Sequence, residues 1–221
     1  LIVAASFAKA GAIVTISGRR DAREEAKEIG CKYVQLDVRD PVAFERTLIE
    51  SKKTSGEFDV LILNQGAYGE DFITRTNIEA WDKLIDTNLK GTYLTTRFAA
   101  PLLRKADKSV LLLIASGAGV RGGSSSYAYA ASKAGMHGMQ YNFQSELGPT
   151  GTRVHVICPG GISTPLKLKN IAEGAQSRGE DVDAAVAGAR VSLGDPVGIA
   201  KILTFLASDD GDYVRGTIST R

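Results

Sequence analysis

The sequence has few cysteines and no long apolar run. Only two cysteines, Cys31 and Cys158, occur among its 221 residues. They have neither the density of a disulfide-stabilised protein nor the spacing of a metal site, so we expect two buried thiols in a reducing compartment. The longest purely apolar run, VLLLIA at 110–115, falls far short of the ~20 residues that cross a bilayer. These absences predict a cytoplasmic protein without a transmembrane helix.

A strong charge of either sign is also missing. The 27 basic and 25 acidic residues leave a net charge of +2, which gives no electrostatic footprint for nucleic acid or an anionic membrane. Any basic site must therefore be local. The two histidines, His137 and His155, have no partners at ligand spacing. We therefore expect no metal site and interpret both histidines as structural.

Helix and strand signals alternate along the chain. Apolar segments predict strands near 12–17, 32–36, 59–63, 109–115, 153–157 and 216–219. Several of these segments are continuously apolar, as expected of strands buried on both faces. Helices are predicted up to Gly11 and near 21–29, 41–53, 77–105, 127–147 and 196–207. The alternation predicts one α/β domain over residues 1–221, with a doubly wound parallel sheet and helices on both faces.

Residues 165–194 depart from this alternation. The segment is polar and rich in glycine, alanine and charge, with two short helical patterns and no strand pattern. An insertion of this kind is either a plain surface excursion or a lid over the carboxyl ends of the strands, and both interpretations stay open.

The stretch SSSYAYAASKAG, residues 124–135, holds two tyrosines and a lysine. Tyr129 and Lys133 are four positions apart on a predicted helix, so they lie within about 40° of each other on one face. Tyr127 is about 120° away from Lys133 and cannot share that face. Because an ammonium favours the phenolate, the pair is a possible general acid or base. The spacing alone is weak evidence, since it also occurs on solvated helices.

Small and polar residues follow three of the predicted strands. Carboxyl ends of parallel strands meet at one edge of a sheet, where open α/β sheets bind ligands. The residues in question are Asn64, Gln65, Gly66 and Ala67 after the third strand, Ser116 after the fourth, and Pro159, Gly160, Gly161 and Thr164 after the fifth. Four glycines indicate room beside Ser116: Gly117, Gly119, Gly122 and Gly123. Asn88 lies inside a predicted helix, where an amide is a poor helix former and often has a specific role.

With these residues in place, the sequence resembles the short-chain dehydrogenase/reductase family over essentially the whole chain. Tyr129 and Lys133 in YAASK match the family's YxxxK motif. Ser116 stands thirteen positions before Tyr129, at the interval of the family's catalytic serine, whereas the same count from Tyr127 reaches Ile114. Asn88 matches the catalytic asparagine, and PGGIST at 159–164 matches the PGxxxT segment beside the nicotinamide. The resemblance implies a Rossmann-like fold.

The resemblance also implies a mechanism. Hydride would pass between a nicotinamide ring and a carbonyl or alcohol carbon, while Tyr129 exchanges the proton on oxygen and Ser116 holds that oxygen. Lys133 would lower the tyrosine pKa and bind the nicotinamide ribose, and Asn88 would position a relay water. Two hydroxyl donors aimed at an oxygen that gains charge stabilise the transition state more than the ground state. The family further implies a homodimer or homotetramer formed through the helices near 77–105 and 127–147.

The choice of cofactor is expected to depend on the end of the second family strand. Gly18 stands where NAD-preferring relatives often carry Asp, and Arg19 and Arg20 follow it. A guanidinium suits a 2′-phosphate, so we expect NADPH rather than NADH. One or both arginines could instead be solvated, and Asp21 could partly cancel their charge. By resemblance, the other cofactor-binding residues are Asp37, Val38, Asn64, Gly66, Tyr129, Lys133, Pro159, Gly160, Ile162 and Thr164.

Two features depart from the family pattern. The glycine-rich turn TGxxxGxG is absent, and by that pattern Leu1 would follow its last glycine. We therefore expect the printed chain to be part of a longer protein, without the central first strand and the glycine-rich turn. The second departure is NQGA at 64–67 in place of NNAG, which we expect to alter the cofactor contacts slightly.

The expected function is NADPH-dependent reduction of a ketone or other carbonyl substrate to a secondary alcohol, of the ketoacyl, polyketide or secondary-metabolite type, with Tyr129 as general acid. Two alternatives stay open, an NAD-dependent alcohol dehydrogenase and a non-catalytic dinucleotide-binding protein on the same fold. Retention of all four catalytic matches favours an enzyme. The sequence does not name the substrate, although the room beside Ser116 is compatible with a bulky or extended carbonyl compound.

Overall fold

The computed structural model describes residues 1–69, 73, 77–122 and 126–220, apart from the side chains of residues 54 and 55. Within these residues the strands are β1 (Thr15–Gly18), β2 (Lys32–Gln35), β3 (Val60–Leu63), β4 (Ser109–Ile114), β5 (Thr152–Cys158) and β6 (Gly216–Ser219). The helices are α1 (Ile2–Lys9), α2 (Arg23–Glu28), α3 (Pro41–Ser55), α4 (Ile78–Ile85), α5 (Gly91–Leu103), α6 (Ala118–Arg121), α7 (Tyr127–Leu147), α8 (Pro165–Arg178), α9 (Val182–Ser192) and α10 (Pro196–Ala207). A π-helical turn (Asp86–Lys90) joins α4 to α5, and short 3₁₀ turns (Gly148–Thr150 and Asp209–Gly211) follow α7 and α10.

The strands form two sheets, and every pairing within them is parallel. The smaller sheet contains β1 and β2, with Thr15 opposite Lys32. The larger sheet has the order β3-β4-β5-β6. The predicted α/β class with parallel strands and flanking helices is therefore confirmed. The single sheet expected from the sequence is divided, because β1 and β3 are not paired with each other within the described residues.

Helices cover both faces of the larger sheet. Every residue of β4 and of β5 is buried, as their continuous apolar patterns predicted. Alternation along β4 sends Leu111 and Leu113 into one core and Leu112 and Ile114 into the other. The first core is shared with α3, α5 and α7 through Phe44, Leu48, Ala99, Leu103, Met136, Phe143 and Leu147. The second is shared with α1 and α10 through Phe7, Leu203 and Leu206.

The helix predicted over 77–105 contains the π-helical turn. The Gly91 N–H bonds to the Asp86 carbonyl, five residues back, which widens the helix locally. A Cβ at Gly91 would lie 3.2 Å from Val38 Cγ2 and 3.3 Å from the Asp86 carbonyl oxygen. The glycine therefore allows this turn to approach the end of β2. The turn also brings the side chain of Asn88 into the interior, where it is fully buried.

Residues 165–194 form the two helices α8 and α9, as the two helical patterns predicted. The ends of this segment are joined, because Gly194 N donates to Gly161 O at 2.9 Å and Ser163 N donates to Gly194 O at 2.8 Å. A Cβ at Gly161 would lie 2.7 Å from Leu193 Cδ2. The helical hairpin formed by α8 and α9 is therefore held closely at the carboxyl end of β5. Its role as a lid stays a prediction.

Candidate active site

The candidate site lies at the carboxyl ends of β3, β4 and β5. Ser116 follows β4, and the segment after β5 reaches it directly because Gly117 N donates to Pro159 O at 2.9 Å. The turn after β3, residues 64–68, lies over α7, since a Cβ at Gly66 would be 3.8 Å from Lys133 Nζ. The structure therefore brings together the three polar strand ends that the sequence predicted.

The Ser116 side chain lies near the Tyr129 phenol and lowers its pKa. Tyr129 is placed by the start of α7, where Ser126 Oγ caps the helix and accepts from Tyr129 N at 3.3 Å. Ser116 is followed by α6, which packs closely on α7. A Cβ at Gly119 would lie only 2.7 Å from Ala134 N. The glycine thus allows the close approach that keeps the two hydroxyls together.

Tyr127 occupies a different environment from Tyr129. It is the first residue of α7 and is 48% exposed, whereas Tyr129 is half-buried.

Gly122, one of the glycines expected near Ser116, has a φ of +70°, a conformation that favours glycine. Gly123 lies outside the described residues.

Lys133 is a buried cation below the Tyr129 ring. Its side chain is 4% exposed, and Nζ lies 5.9 Å from the centroid of the Tyr129 ring. The Nζ group donates to Ile114 O at 2.7 Å. Burial lowers the pKa of Lys133 to about 8, because desolvation disfavours the charged form.

The pKa of Tyr129 is governed mainly by burial. Burial raises this pKa above the ordinary value, and Ser116 lowers it only in part. The Lys133 ammonium is directed to the Ile114 carbonyl. The expected lowering of the Tyr129 pKa by Lys133 stays a prediction.

Asn88 holds the turn of residues 64–68 in place. Its Oδ1 accepts from Ala67 N at 2.7 Å, and its Nδ2 donates to Ala67 O at 3.0 Å. Nδ2 also donates to Ser132 Oγ at 3.1 Å. Both amide hydrogens are therefore used within the protein. The water-relay role expected from the resemblance stays a prediction, whereas the bonds to the Ala67 peptide groups are a feature of the structure.

The departure NQGA has a local consequence. Gln65 directs its side chain to the π-helical region, where Nε2 donates to Thr92 Oγ1 at 3.1 Å. Thr92 Oγ1 in turn donates to Asn88 O at 2.7 Å. Asn64 and Gly66, on either side of Gln65, are exposed. The turn is therefore bonded to the start of α5 through Gln65, and it exposes the small or polar residues Asn64 and Gly66.

Two residues of this site were missed by the sequence analysis. Ser132 is fully buried, and its Oγ donates to Tyr129 O at 2.7 Å while it accepts from Asn88. Tyr68 lies against the Tyr129 ring, with centroids 5.0 Å apart and planes at 73°. Both could have been noticed from position, since Ser132 is part of YAASK and Tyr68 directly follows NQGA.

The two arginines expected at the adenosine end differ in their partners. Arg20 forms an ion pair with Glu25 at 2.5 Å, whereas Asp21 pairs with Arg23. Arg19 is exposed, and within the described ranges its guanidinium makes no ion pair. Glu25 and Asp21 are therefore the anions beside Arg20, whereas Arg19 makes no ion pair and interacts with Asp37 through its charge, which helps to lower the pKa of Asp37.

Asp37 and the segment after β5 hold the remaining predicted cofactor residues. Asp37 is bound by Arg39, whose Nη2 lies 2.6 Å from Asp37 Oδ2, and this partner lowers the pKa of Asp37 to about 2. Val38 packs below Gly91, as described above. Thr164 caps α8 and its Oγ1 accepts from Lys167 N at 3.3 Å. The residues that complete the set lie at this same edge: Gly160, half-buried, and Ile162, which bridges to Gly194.

These residues fit a nicotinamide dinucleotide at both of its ends. Near α7, exposed Gly66 leaves open the space beside Lys133 Nζ that a side chain would fill. Beyond β1, Arg19 offers an exposed guanidinium, which suits an anionic group on the adenosine. Across the residues that the structure describes, no group of three metal-ligating side chains comes together. No helix among them is long and apolar enough to span a membrane.

The fold and the site define a dinucleotide-dependent oxidoreductase, and comparison with known proteins agrees. The family described as enoyl-(acyl carrier protein) reductase matches residues 2–220. The chain belongs to the short-chain dehydrogenase/reductase family, whose NAD(P)-dependent enzymes act on CH–OH and C=O groups.

Three relatives illustrate the range of similarity. The chain is 32% identical to the 3-oxoacyl-[acyl-carrier-protein] reductase FabG of Thermotoga maritima over 83% of this chain and 72% of the relative. It is 29% identical to the oxidoreductase UcpA of Salmonella typhimurium over 97% of this chain and 85% of the relative. It is 34% identical to the human (3R)-3-hydroxyacyl-CoA dehydrogenase over 72% of this chain and 59% of the relative.

Proposed function

We propose that the protein is an NADPH-dependent reductase of 3-oxoacyl-type carbonyl compounds, with Tyr129 as general acid. The observation that carries the proposal is the proximity of the Ser116 side chain to the half-buried Tyr129 phenol, where burial raises the pKa of the phenol and Ser116 lowers it in part. A phenol with a raised pKa stays protonated at neutral pH, as a proton donor for reduction must.

Ser116 and Tyr129 can both donate to one substrate oxygen. The two side chains lie close to each other, so a carbonyl oxygen placed between the two hydroxyls can accept a hydrogen bond from each. A bound nicotinamide supplies the hydride. As negative charge develops on the carbonyl oxygen, the two donors stabilise it and Tyr129 delivers its proton. The half-buried setting strengthens both hydrogen bonds relative to water.

Lys133 and Asn88 support the pair formed by Ser116 and Tyr129. Lys133 bonds the Ile114 carbonyl and lies beside the open space at Gly66, so we propose that it exchanges this carbonyl for a ribose hydroxyl of the cofactor. Asn88 keeps the turn of residues 64–68 beside Lys133. In its proposed role in a proton relay, Asn88 would hold the relay water with the remaining lone pair of Oδ1 or with a backbone polar group.

The preference for NADPH is proposed on the strength of Arg19. Arg20 is bound by Glu25, whereas the exposed Arg19 guanidinium makes no ion pair within the described residues and interacts with Asp37 only through its charge, so we propose that it meets a 2′-phosphate. Arg19→Gln should therefore raise KM for NADPH and leave KM for NADH unchanged. Arg20→Gln is the matched control, with a smaller effect on KM for NADPH. Equal KM values for NADPH in the wild type and in Arg19→Gln would contradict the assignment.

The substrate class is taken from the relatives, which are named for 3-oxoacyl and 3-hydroxyacyl thioesters. We propose that the helical hairpin α8–α9 covers the acyl chain, because its base is fixed at Gly161 and Gly194 beside the site. The homodimer or homotetramer and the cytoplasmic location stay predictions.

The function is tested by following NADPH and NADH oxidation with a 3-oxoacyl thioester, a 2-enoyl thioester and a simple ketone. We expect turnover of the 3-oxoacyl thioester with NADPH. Turnover of the 2-enoyl thioester alone would contradict the proposal and favour the reaction for which the matching family is described. Oxidation of a secondary alcohol with NAD in the absence of ketone reduction would favour a dehydrogenase. Nucleotide binding without any turnover would favour a non-catalytic protein.

A further inference from the structure

We propose that Tyr68 is a positioning residue whose ring holds the Tyr129 phenol toward Ser116. The inference rests on the proposed function, since it concerns the same reaction. The two rings meet edge to face, with centroids 5.0 Å apart and an interplanar angle of 73°. This geometry is favourable for aromatic pairs, because the positive ring edge meets the negative ring face.

The position of Tyr68 is fixed by its neighbours in the chain. Ala67, directly before it, has both its N–H and its C=O bonded by the buried amide of Asn88. Gly69, directly after it, packs toward α4, since a Cβ there would lie 3.9 Å from Leu84 Cδ1. Leu84 is itself buried. The Tyr68 ring therefore stands on an anchored stretch of backbone.

The contact with Tyr68 restrains a side chain that has few other restraints. The Tyr129 ring has Lys133 Nζ at 5.9 Å from its centroid, and Ser116 lies near its phenol. When a substrate oxygen enters between the two hydroxyls, the contact with Tyr68 remains to orient the phenol. Tyr68 thus acts through Tyr129, and its loss should lower kcat more than it changes KM for the cofactor.

The first test compares Tyr68→Leu with Tyr68→Phe. The leucine variant loses the aromatic contact, and we expect kcat to fall roughly three- to tenfold with KM for NADPH unchanged. The phenylalanine variant keeps the ring and should restore kcat to the wild-type value. Tyr213→Leu removes a tyrosine ring that is 99% exposed, and this control should leave kcat unchanged. A kcat in Tyr68→Phe as low as in Tyr68→Leu would overturn the proposal.

The second test does not depend on turnover. The difference in tyrosinate absorbance between a protein and its Tyr129→Phe counterpart reports the titration of Tyr129. The groups that face this phenol are Ser116, Lys133 and Tyr68. In the Tyr68→Leu background, water should reach the phenol and its pKa should move down toward the ordinary value.

The two tests separate the failure of each idea. A Tyr129 pKa that is the same with Tyr68 and with leucine would overturn the role of Tyr68, whatever the substrate is. A wild-type protein that reduces no carbonyl compound would contradict the proposed function, while a shift of the Tyr129 titration would still support the positioning of Tyr129 by Tyr68.

Discussion

Lys133 keeps an ionisable group almost entirely out of water. Its one hydrogen bond described here goes to the Ile114 carbonyl, and a neutral carbonyl offsets only part of the cost of removing an ammonium from water. The lowered pKa, about 8, follows from this cost. The group is thus poised to lose or keep its proton near neutral pH, depending on what stands beside it.

This burial predicts a pH dependence of stability. Between pH 8 and 10.5, the folded protein has released the Lys133 proton while the unfolded chain still binds it. The unfolded state then binds more protons, so the free energy of unfolding should rise with pH in this window, at ~1.4 kcal/mol per unit of pKa difference. Chemical denaturation from pH 8 to 10.5 measures the effect. Lys133→Met should lack this rise, and parallel curves for the two proteins would contradict the assignment.

Removal of the Asn88 amide should reduce both stability and activity. Asn88→Ala leaves the Ala67 N–H and C=O without their partners, which should cost about 1–3 kcal/mol in the free energy of unfolding. It should also lower kcat, since the turn beside Lys133 and Tyr129 is released. Asn77→Ala is the matched control, because Asn77 caps α4 and its loss should cost about 1 kcal/mol without lowering kcat. An unchanged kcat in Asn88→Ala would contradict the role of the amide in the site.

At the scale of elements, the contact of α6 with α7 places Ser116 beside Tyr129. Gly119→Ala would push a methyl group within 2.7 Å of Ala134 N and 2.8 Å of Lys133 C, so the helices must separate. We expect the free energy of unfolding and kcat both to fall.

The control for this change is Gly188→Ala in α9. No atom lies within 4 Å of a Cβ at Gly188, so the substitution should raise stability by about 0.5–1 kcal/mol. Denaturant unfolding and steady-state kinetics of the two variants give the comparison. Equal stabilities of the two alanine variants would show that the close packing of α6 on α7 carries no weight.

The elements with clear end signals could be predicted from sequence. Both ends of α7 and of α10 agree with the prediction, and Asp195 caps α10 by accepting from Val197 N at 2.8 Å. The strand predicted at 12–17 begins three residues later, at Thr15, because apolarity alone does not show where pairing starts. The π-helical turn and α6 were not predicted. Both depend on close approaches at Gly91 and Gly119 that only the folded structure reveals.

The residues of the candidate site could be predicted from the sequence, whereas the electrostatics of the site could be predicted less well. Helical spacing separated Tyr129 from Tyr127, and the interval to Ser116 agreed. The pKa of Tyr129 depends on how far the phenol is buried and on the nearby Ser116, and no spacing rule contains that burial. Cys158 is buried as expected, whereas Cys31 is only half-buried.

At the scale of the whole molecule, β5 carries charge and a histidine into the face covered by α1 and α10. Arg153 reaches the end of α10, where Nη1 donates to Leu206 O at 2.7 Å and Nη2 to Ser208 O at 3.0 Å. His155 is fully buried, and neither ring nitrogen has a hydrogen-bond partner within the described residues. Burial, with Arg153 and Arg215 nearby, lowers the pKa of His155 to about 4.

The lowered pKa of the buried His155 predicts that the protein loses stability in acid. Between pH 6.5 and 4, the unfolded chain binds a proton at this histidine that the folded protein excludes. The free energy of unfolding should therefore fall as pH drops through this window. His155→Leu should weaken this dependence, as measured by denaturation at a series of pH values. An unaltered acid dependence in the variant would mean that other groups govern it.

The central claim, that Tyr129 is the proton donor of a carbonyl reductase, is tested most directly by kcat for NADPH-dependent reduction of a 3-oxoacyl thioester in two single variants. Tyr129→Phe should lower kcat by roughly 10²–10⁴-fold, as expected for loss of a general acid. Tyr127→Phe, two residues away and half-exposed, should at most change KM. Similar losses of kcat in both variants, or none in Tyr129→Phe, would contradict the account.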